Sequence, residues 1–158
     1  MSTGILGKRV NALPPIDLNG GKTTEPVSMK NHWAIEFIVQ LGVSGGAVPT
    51  LTVDECTTEA VAASTAIAFD YQSCLVDYAT NSTCDVFGEL TAVASTGLAL
   101  STTNNVFYRV VVFADRLTDG YPYVRLSFSD PSASVIGAVV AILHDSRYGK
   151  ELEGTVRV

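Results

Sequence analysis

The sequence predicts an all-β fold, an antiparallel β-sandwich of jelly-roll-like type with an extended N-terminal arm and a short C-terminal tail. Three observations carry this. Apolar residues alternate along short runs, Gly, Pro, Asn and Asp cluster between the runs, and no long stretch has the periodicity of an amphipathic helix. The composition agrees: 47% of the 158 residues are hydrophobic and only 16% are charged. Ala, Val, Thr and Ser are prominent and lysine is scarce, which favours strands and turns over a helical bundle. So much apolar content also supports a buried core.

Residues 1–30 read as an arm and not as a domain. They hold Pro14, Pro15 and Pro26, the Gly20–Gly21 pair and no sustained alternation. The Pro14–Pro15 step favours extended backbone and the glycine pair a turn. Ile5, Leu6, Val10, Leu13, Ile16 and Leu18 make the arm too apolar for a solvated leader. One reading is a flexible terminus, and the sharper one is an ordered arm that lies on its own subunit, on a neighbour or on another protein.

The body, residues 31–146, begins with Trp33–Leu41, whose odd positions are all apolar while Glu36 and Gln40 stand at even ones. That is a half-buried strand. Leu51–Cys56 is a second, and residues 57–66 fit a short helical turn or a loop. Ala66–Tyr71 and Ser73–Tyr78 follow, then a turn at Asn81-Ser82-Thr83 and a weaker run over Val86–Ser95. Val106–Ala114 and Tyr121–Ser129 flank Asp115–Gly120 and read as a β-hairpin with a longer loop. Asp130-Pro131 stops it, and Val135–Leu143 supplies a further buried strand. Residues 147–158, with Gly149 and Gly154, form the C-terminal tail. No crossover helices separate these strands, which favours a largely antiparallel sandwich or jelly roll over a parallel arrangement.

Charge narrows the partners. The net charge of −6 is unevenly spread. Residues 1–30 carry four basic against two acidic side chains, residues 31–144 three arginines against eleven carboxylates, and the remainder balances. An acidic body repels phosphate backbones, which excludes nucleic acid. The longest apolar run, 134–143, is too short to span a bilayer, so no membrane segment is expected. Cys56, Cys74 and Cys84 lack CxxC spacing and a preceding signal peptide, and read as buried thiols of a protein made in a reducing cytoplasm. A disulfide would need sheet pairing to bring two of them together.

Catalytic patterns are missing. His32 and His144 stand far apart in sequence with no ligand-like spacing, and His144-Asp145-Ser146 on extended backbone points to alternate faces. Asp54, Glu55 and Glu59 form an acidic cluster without a Ca²⁺-loop spacing and read as a solvated strand end. Gly42–Gly46 lacks a P-loop lysine. Arg109, Arg116 and Arg125 are expected in structural ion pairs, with Arg109 and Arg125 on one hairpin. No enzyme, cofactor or metal site is expected.

The segments LGKRVNALPPIDLNGG (6–21), SMKNH (28–32), ADRLTDGYPYVRLSFSD (114–130) and ILHDSRYGK (142–150) together resemble small virion structural proteins of tailed bacteriophages and prophages. A short acidic β-sandwich with extended ends is, within that class, most similar to a capsid decoration (cement) protein. The resemblance implies no reaction, binding to the major capsid protein, bridging of capsomers on the outer capsid surface, and synthesis in a bacterial host. A lattice of symmetric positions favours a homo-oligomer, dimer or trimer. The contact residues expected are Leu13, Pro14, Pro15, Ile16 and Leu18 in the arm, with Tyr121 and Tyr123 at the hairpin. The alternatives are a tail or neck subunit, or a glycan-binding module using Trp33, Tyr71, Tyr78, Tyr108, Tyr121 and Tyr123.

Overall fold

The computed structural model describes residues 7–77, 79–80 and 86–146. Along them run β1 (Lys8–Asp17), β2 (Lys22–Thr23), β3 (Val27–Ser28), β4 (His32–Ser44), β5 (Thr50–Cys56), β6 (Ser64–Ile67), β7 (Phe69–Cys74), β8 (Thr91–Val93), β9 (Leu98–Ala99), β10 (Phe107–Phe113), β11 (Tyr123–Phe128) and β12 (Val135–Ser146). A 3-10 turn at Ala114–Arg116 lies between β10 and β11. The first sheet has the order β1-β12-β4-β10-β7-β8. The second has β2-β11-β5-β6, with β3 also on β11 and β9 also on β5. All pairings are antiparallel.

Alternation along the strands builds the sandwich. Ile35, Phe37, Val39 and Leu41 of β4 face inward from the first sheet, as do Val110 and Val112 of β10 and Val139, Ala141 and Leu143 of β12. Leu51 and Val53 of β5 and Val124, Leu126 and Phe128 of β11 meet them from the second, in one shared cluster. Each such side chain contributes about 1.5–3 kcal/mol by leaving water, so this shared layer is what joins the sheets. Most links between consecutive long strands cross from one sheet to the other, β4 to β5, β10 to β11 and β11 to β12 among them.

That connectivity corrects the expected hairpin. β10 pairs with β4 and β7 in the first sheet, while β11 pairs with β2, β3 and β5 in the second. The segment between them is a bridge between sheets. Its Thr118 N–H donates to Glu55 Oε2 of β5 at 2.7 Å, and Tyr121 N–H closes a turn onto Thr118 O at 3.0 Å. Both flanking runs have an inward apolar set, so pattern alone does not tell sheet partners from core partners. Ala66–Tyr71 likewise divides at Ala68, between β6 in the second sheet and β7 in the first. Of the run over 86–95, only Thr91–Val93 is a strand.

The N-terminal segment is, over its described residues, part of the body and not a separate arm. β1 pairs with β12 from Lys8 to Asp17 and forms an edge of the first sheet. Its register slips between Leu13 and Ile16, where Pro14 and Pro15 stand. An edge bulge is where residues without an N–H fit a sheet. The chain then passes to the second sheet. There the buried Thr24 acts as a strand partner: its N–H donates to Leu126 O, and its Oγ1 accepts the Leu126 N–H, both at 2.9 Å. Leu18 seals the junction by lying over Gly137, where an added Cβ would come within 2.8 Å of Leu18 Cδ1. The tail at 147–158, the turn at 81–83, Cys84 and Tyr78 lie outside the described residues.

Candidate functional site

The two outward faces of the sandwich differ in chemistry. In the second sheet, the outward positions are Thr50, Thr52 and Asp54 on β5 and Tyr123, Arg125 and Ser127 on β11, with Arg125 Nε donating to Asp54 Oδ2 at 3.2 Å. This is an ordinary solvated face. On the first sheet the register stacks two rows across the strands. One runs Asn11, Val140, Ile38, Arg109, Gln72, and the next runs Arg9, Ile142, Glu36, Val111, Asp70. Ile136 and Val140 of β12 and Phe113 of β10 lie on the same face and are 42%, 40% and 42% exposed. Aliphatic side chains thus occupy the centre of an open sheet face.

A chain of hydrogen bonds crosses this face at right angles to the strands. His144 Nε2 lies 2.8 Å from Glu36 Oε2. Arg109 donates to Glu36 through Nε at 2.7 Å and through a terminal nitrogen at 3.3 Å, and to Gln72 Oε1 at 2.8 Å. Gln72 Nε2 then donates to the carbonyl of Gly88 at 2.9 Å. Four strands and a loop are tied together through side chains. The Glu36 side chain is only 11% exposed although it points away from the core, because Arg109 and His144 cover it. Burial pushes its carboxyl up, but the hydrogen bonds from Arg109 and His144 outweigh that and hold it below its ordinary value. A second pair, Arg116 to Asp70 at 2.6 Å, closes the far side, with the Arg116 guanidinium 5.9 Å from the Phe113 ring centre.

Two hollows flank the body. One of about 190 Å³ opens on the apolar face and is lined by Pro15, Gln40, Gly42, Asn105, Ile136 and Ala138. The other, about 230 Å³, lies at the inter-sheet bridge among Met29, Lys30, Leu117, Asp119, Tyr121 and Pro122. Neither is lined by a histidine or a cysteine.

The expected contact residues separate into distinct settings. Leu13 and Leu18 are buried in this chain's own core. Pro14, Pro15 and Ile16 are exposed along the outer edge of the first sheet, and Pro15 reaches the groove beside Ile136. Tyr121 and Tyr123 are half-buried, Tyr121 at the bridge hollow and Tyr123 on the outward face of the second sheet.

The other candidates disperse in the same way. Asp54 points outward to Arg125, while its neighbour Glu55 is buried and accepts from the bridge. No group of three or more His, Cys, Asp or Glu that could hold a metal occurs among the described residues. Cys56 and Cys74 are buried, one in each sheet. Tyr71 and Tyr108 turn toward the core with ring centres 6.4 Å apart, and the Tyr108 hydroxyl accepts the Ser101 N–H at 2.6 Å. Trp33 is instead 55% exposed at the start of β4, apart from these two core-facing rings. Arg109 and Arg125, expected on one hairpin, occupy different sheets with separate acidic partners.

Sequence reasoning missed the Glu36–Arg109–His144 cluster. Its one signal was a glutamate set in the even positions of an otherwise apolar strand with no cationic neighbour in sequence. No helix among the described residues is long and apolar enough to cross a membrane. Comparison with protein-family models and with curated proteins finds no match to this chain.

Proposed function

We propose that the chain is a non-catalytic structural subunit of a tailed-phage virion, one that binds the outside of the capsid and stabilises the shell by bridging capsomers. The observation that carries this reading is the contrast between the outer faces. A sheet face meant for water has no use for Ile136, Val140, Ile142 and Phe113, whereas a subunit that assembles does. The resemblance of residues 6–21, 28–32, 114–130 and 142–150 to phage virion proteins supplies the assembly. The exposed Pro14–Pro15–Ile16 segment is the part of the N-terminal strand offered to the major capsid protein. The jelly-roll-like class belongs to the same proposal, supported by the alternation of consecutive strands between two facing sheets. An acidic body suits the outside of a shell filled with nucleic acid.

The test is to mix purified chain with expanded capsids of the phage that encodes it, and to count its copies in purified virions. Saturable binding at a fixed number per capsomer, with shells more resistant to heat, is the expected result. Absence from virions, or no binding to expanded capsids, would end the reading. Copies confined to hexameric or dodecameric tail rings would transfer the chain to the tail or neck, and hits on a glycan array to a sugar-binding role.

A further inference from the structure

We infer that the outer face of the first sheet is the seat of a second copy of this chain, packed face to face about a two-fold axis. The centre of the face is aliphatic: Val140 and Ile38 in one row and Ile142 in the next, with Phe113 beside them, while Val111 of the same row is already covered by its neighbours. The polar groups among them already satisfy one another, Glu36 with Arg109 and His144, Arg109 with Gln72, and Asp70 with Arg116. Covering the face therefore orphans none of these pairs, which is the condition for burying a sheet that carries charge.

Charge selects the occupant. The chain carries a net −6, so most of its surface repels a second copy. On this face the two strand carboxylates, Glu36 and Asp70, are each held by a guanidinium and lie low, while Arg9 stands exposed beside them. The carboxylates within the two rows are thus paired inside one copy and add little to the repulsion between copies. Size agrees as well. Five strands at about 4.8 Å spacing, over the seven-residue span that pairs β10 with β4, give a projected area of about 550–600 Å². That reaches the lower end of a stable protein interface, about 600 Å² per partner. A two-fold arrangement brings the same rows together from both sides and leaves the Ser/Thr-bearing face and the Pro14–Ile16 edge outward. The dimer does not depend on the virion assignment.

The experiment is sedimentation equilibrium of the full chain between about 1 and 100 µM, the range over which modest interfaces dissociate. Three variants are compared, each checked for its strand spectrum and melting temperature. Val140→Glu and Phe113→Ser alter residues already 40% and 42% exposed in the single subunit, so they disturb the interface and not the core. Thr52→Glu alters the outward face of the second sheet. The expected results are a wild-type dimer, a dimer in Thr52→Glu, and a dissociation constant raised at least about 100-fold by Val140→Glu, which buries an unpaired carboxylate against its own copy. A wild-type monomer at the highest concentration, a trimer, a dimer indifferent to Val140→Glu and Phe113→Ser, or one that Thr52→Glu splits would each overturn the inference. If the wild type is monomeric and Val140→Glu abolishes binding to expanded capsids, the occupant is the capsid protein. If the dimer behaves as expected and the chain is absent from virions, the inference stands and the virion reading falls.

Discussion

Glu36 and Arg109, 73 residues apart in sequence, meet on adjacent strands of the first sheet in a two-point pair, 2.7 Å at Nε and 3.3 Å at a terminal nitrogen. The pair stands on the outward side of β4 and β10, where an exposed sheet would need no such clamp. It neutralises one of the two carboxylates that would otherwise make the apolar rows costly to cover, and with His144 and Gln72 it fixes four strands relative to each other.

Arg109→Met leaves Glu36 with His144 alone and is expected to destabilise the fold by about 1–3 kcal/mol. That range is set below the usual figure for a broken buried pair because the Arg109 side chain is 39% exposed. Adding Glu36→Leu to Arg109→Met removes the stranded carboxylate and recovers most of the loss. Denaturant unfolding of the two singles and the double measures the coupling. A double mutant as unstable as the sum of the singles would show that the pair contributes nothing jointly.

Acid acts on His32 and on the carboxylates Glu36, Asp17 and Asp130, of which His32 and Glu36 are buried. Burial, opposed by a hydrogen bond to the His144 backbone, lowers the His32 imidazole from its ordinary 6.5. The unfolded chain takes that proton first, so the contribution of neutral His32 is full above about pH 6.5 and declines as pH falls from there through the folded value. Glu36 is held below its ordinary 4.5. Its contribution is full above about pH 4.5 and is lost as pH falls through its lower folded value. Melting temperature followed down to about pH 3 should therefore fall in two stages. His32→Asn removes the first and Glu36→Gln flattens the second. A profile flat down to about pH 4 would contradict this.

Leu18→Ala and Ile16→Ala separate core from surface within the N-terminal segment. Leu18 has no exposed surface and rests on Gly137, so its truncation costs about 2–5 kcal/mol. Ile16 is exposed at the sheet edge, and its truncation changes stability by at most about 1 kcal/mol while weakening shell binding. Thermal melting and capsid binding measured on both variants check the pair of expectations.

Thr24→Val tests whether residues 8–28 are integral to the fold. Valine keeps the shape but removes the oxygen that accepts the buried Leu126 N–H. An orphaned buried donor costs about 1–3 kcal/mol. Unchanged stability in denaturant unfolding would mean that the segment is only lightly attached.

The strands themselves were legible where alternation was strict. Ile35 to Leu41, Leu51 to Val53 and Val135 to Leu143 carry their inward set in plain view, and each is a strand with those residues buried. What alternation does not encode is which sheet a strand joins. Hence Val106–Ala114 and Tyr121–Ser129 read as a hairpin although the link between them bridges the sheets. The strand in the N-terminal segment was hidden because Pro14 and Pro15 mask it at the bulge they occupy. The apolar outer face was hidden for a related reason. Glu36, Arg109 and His144 are scattered through the sequence, and only the register of β10, β4 and β12 brings them together.

A density map of the intact virion, with every copy of the chain located and oriented, tests the central claim most directly. The expected map has a fixed number of copies per capsomer outside the shell, each with the outer face of its first sheet covered by another protein surface and the Thr50–Thr52 face toward solvent. A shell without the chain, or copies whose Val140 and Ile142 face bulk water, would contradict it.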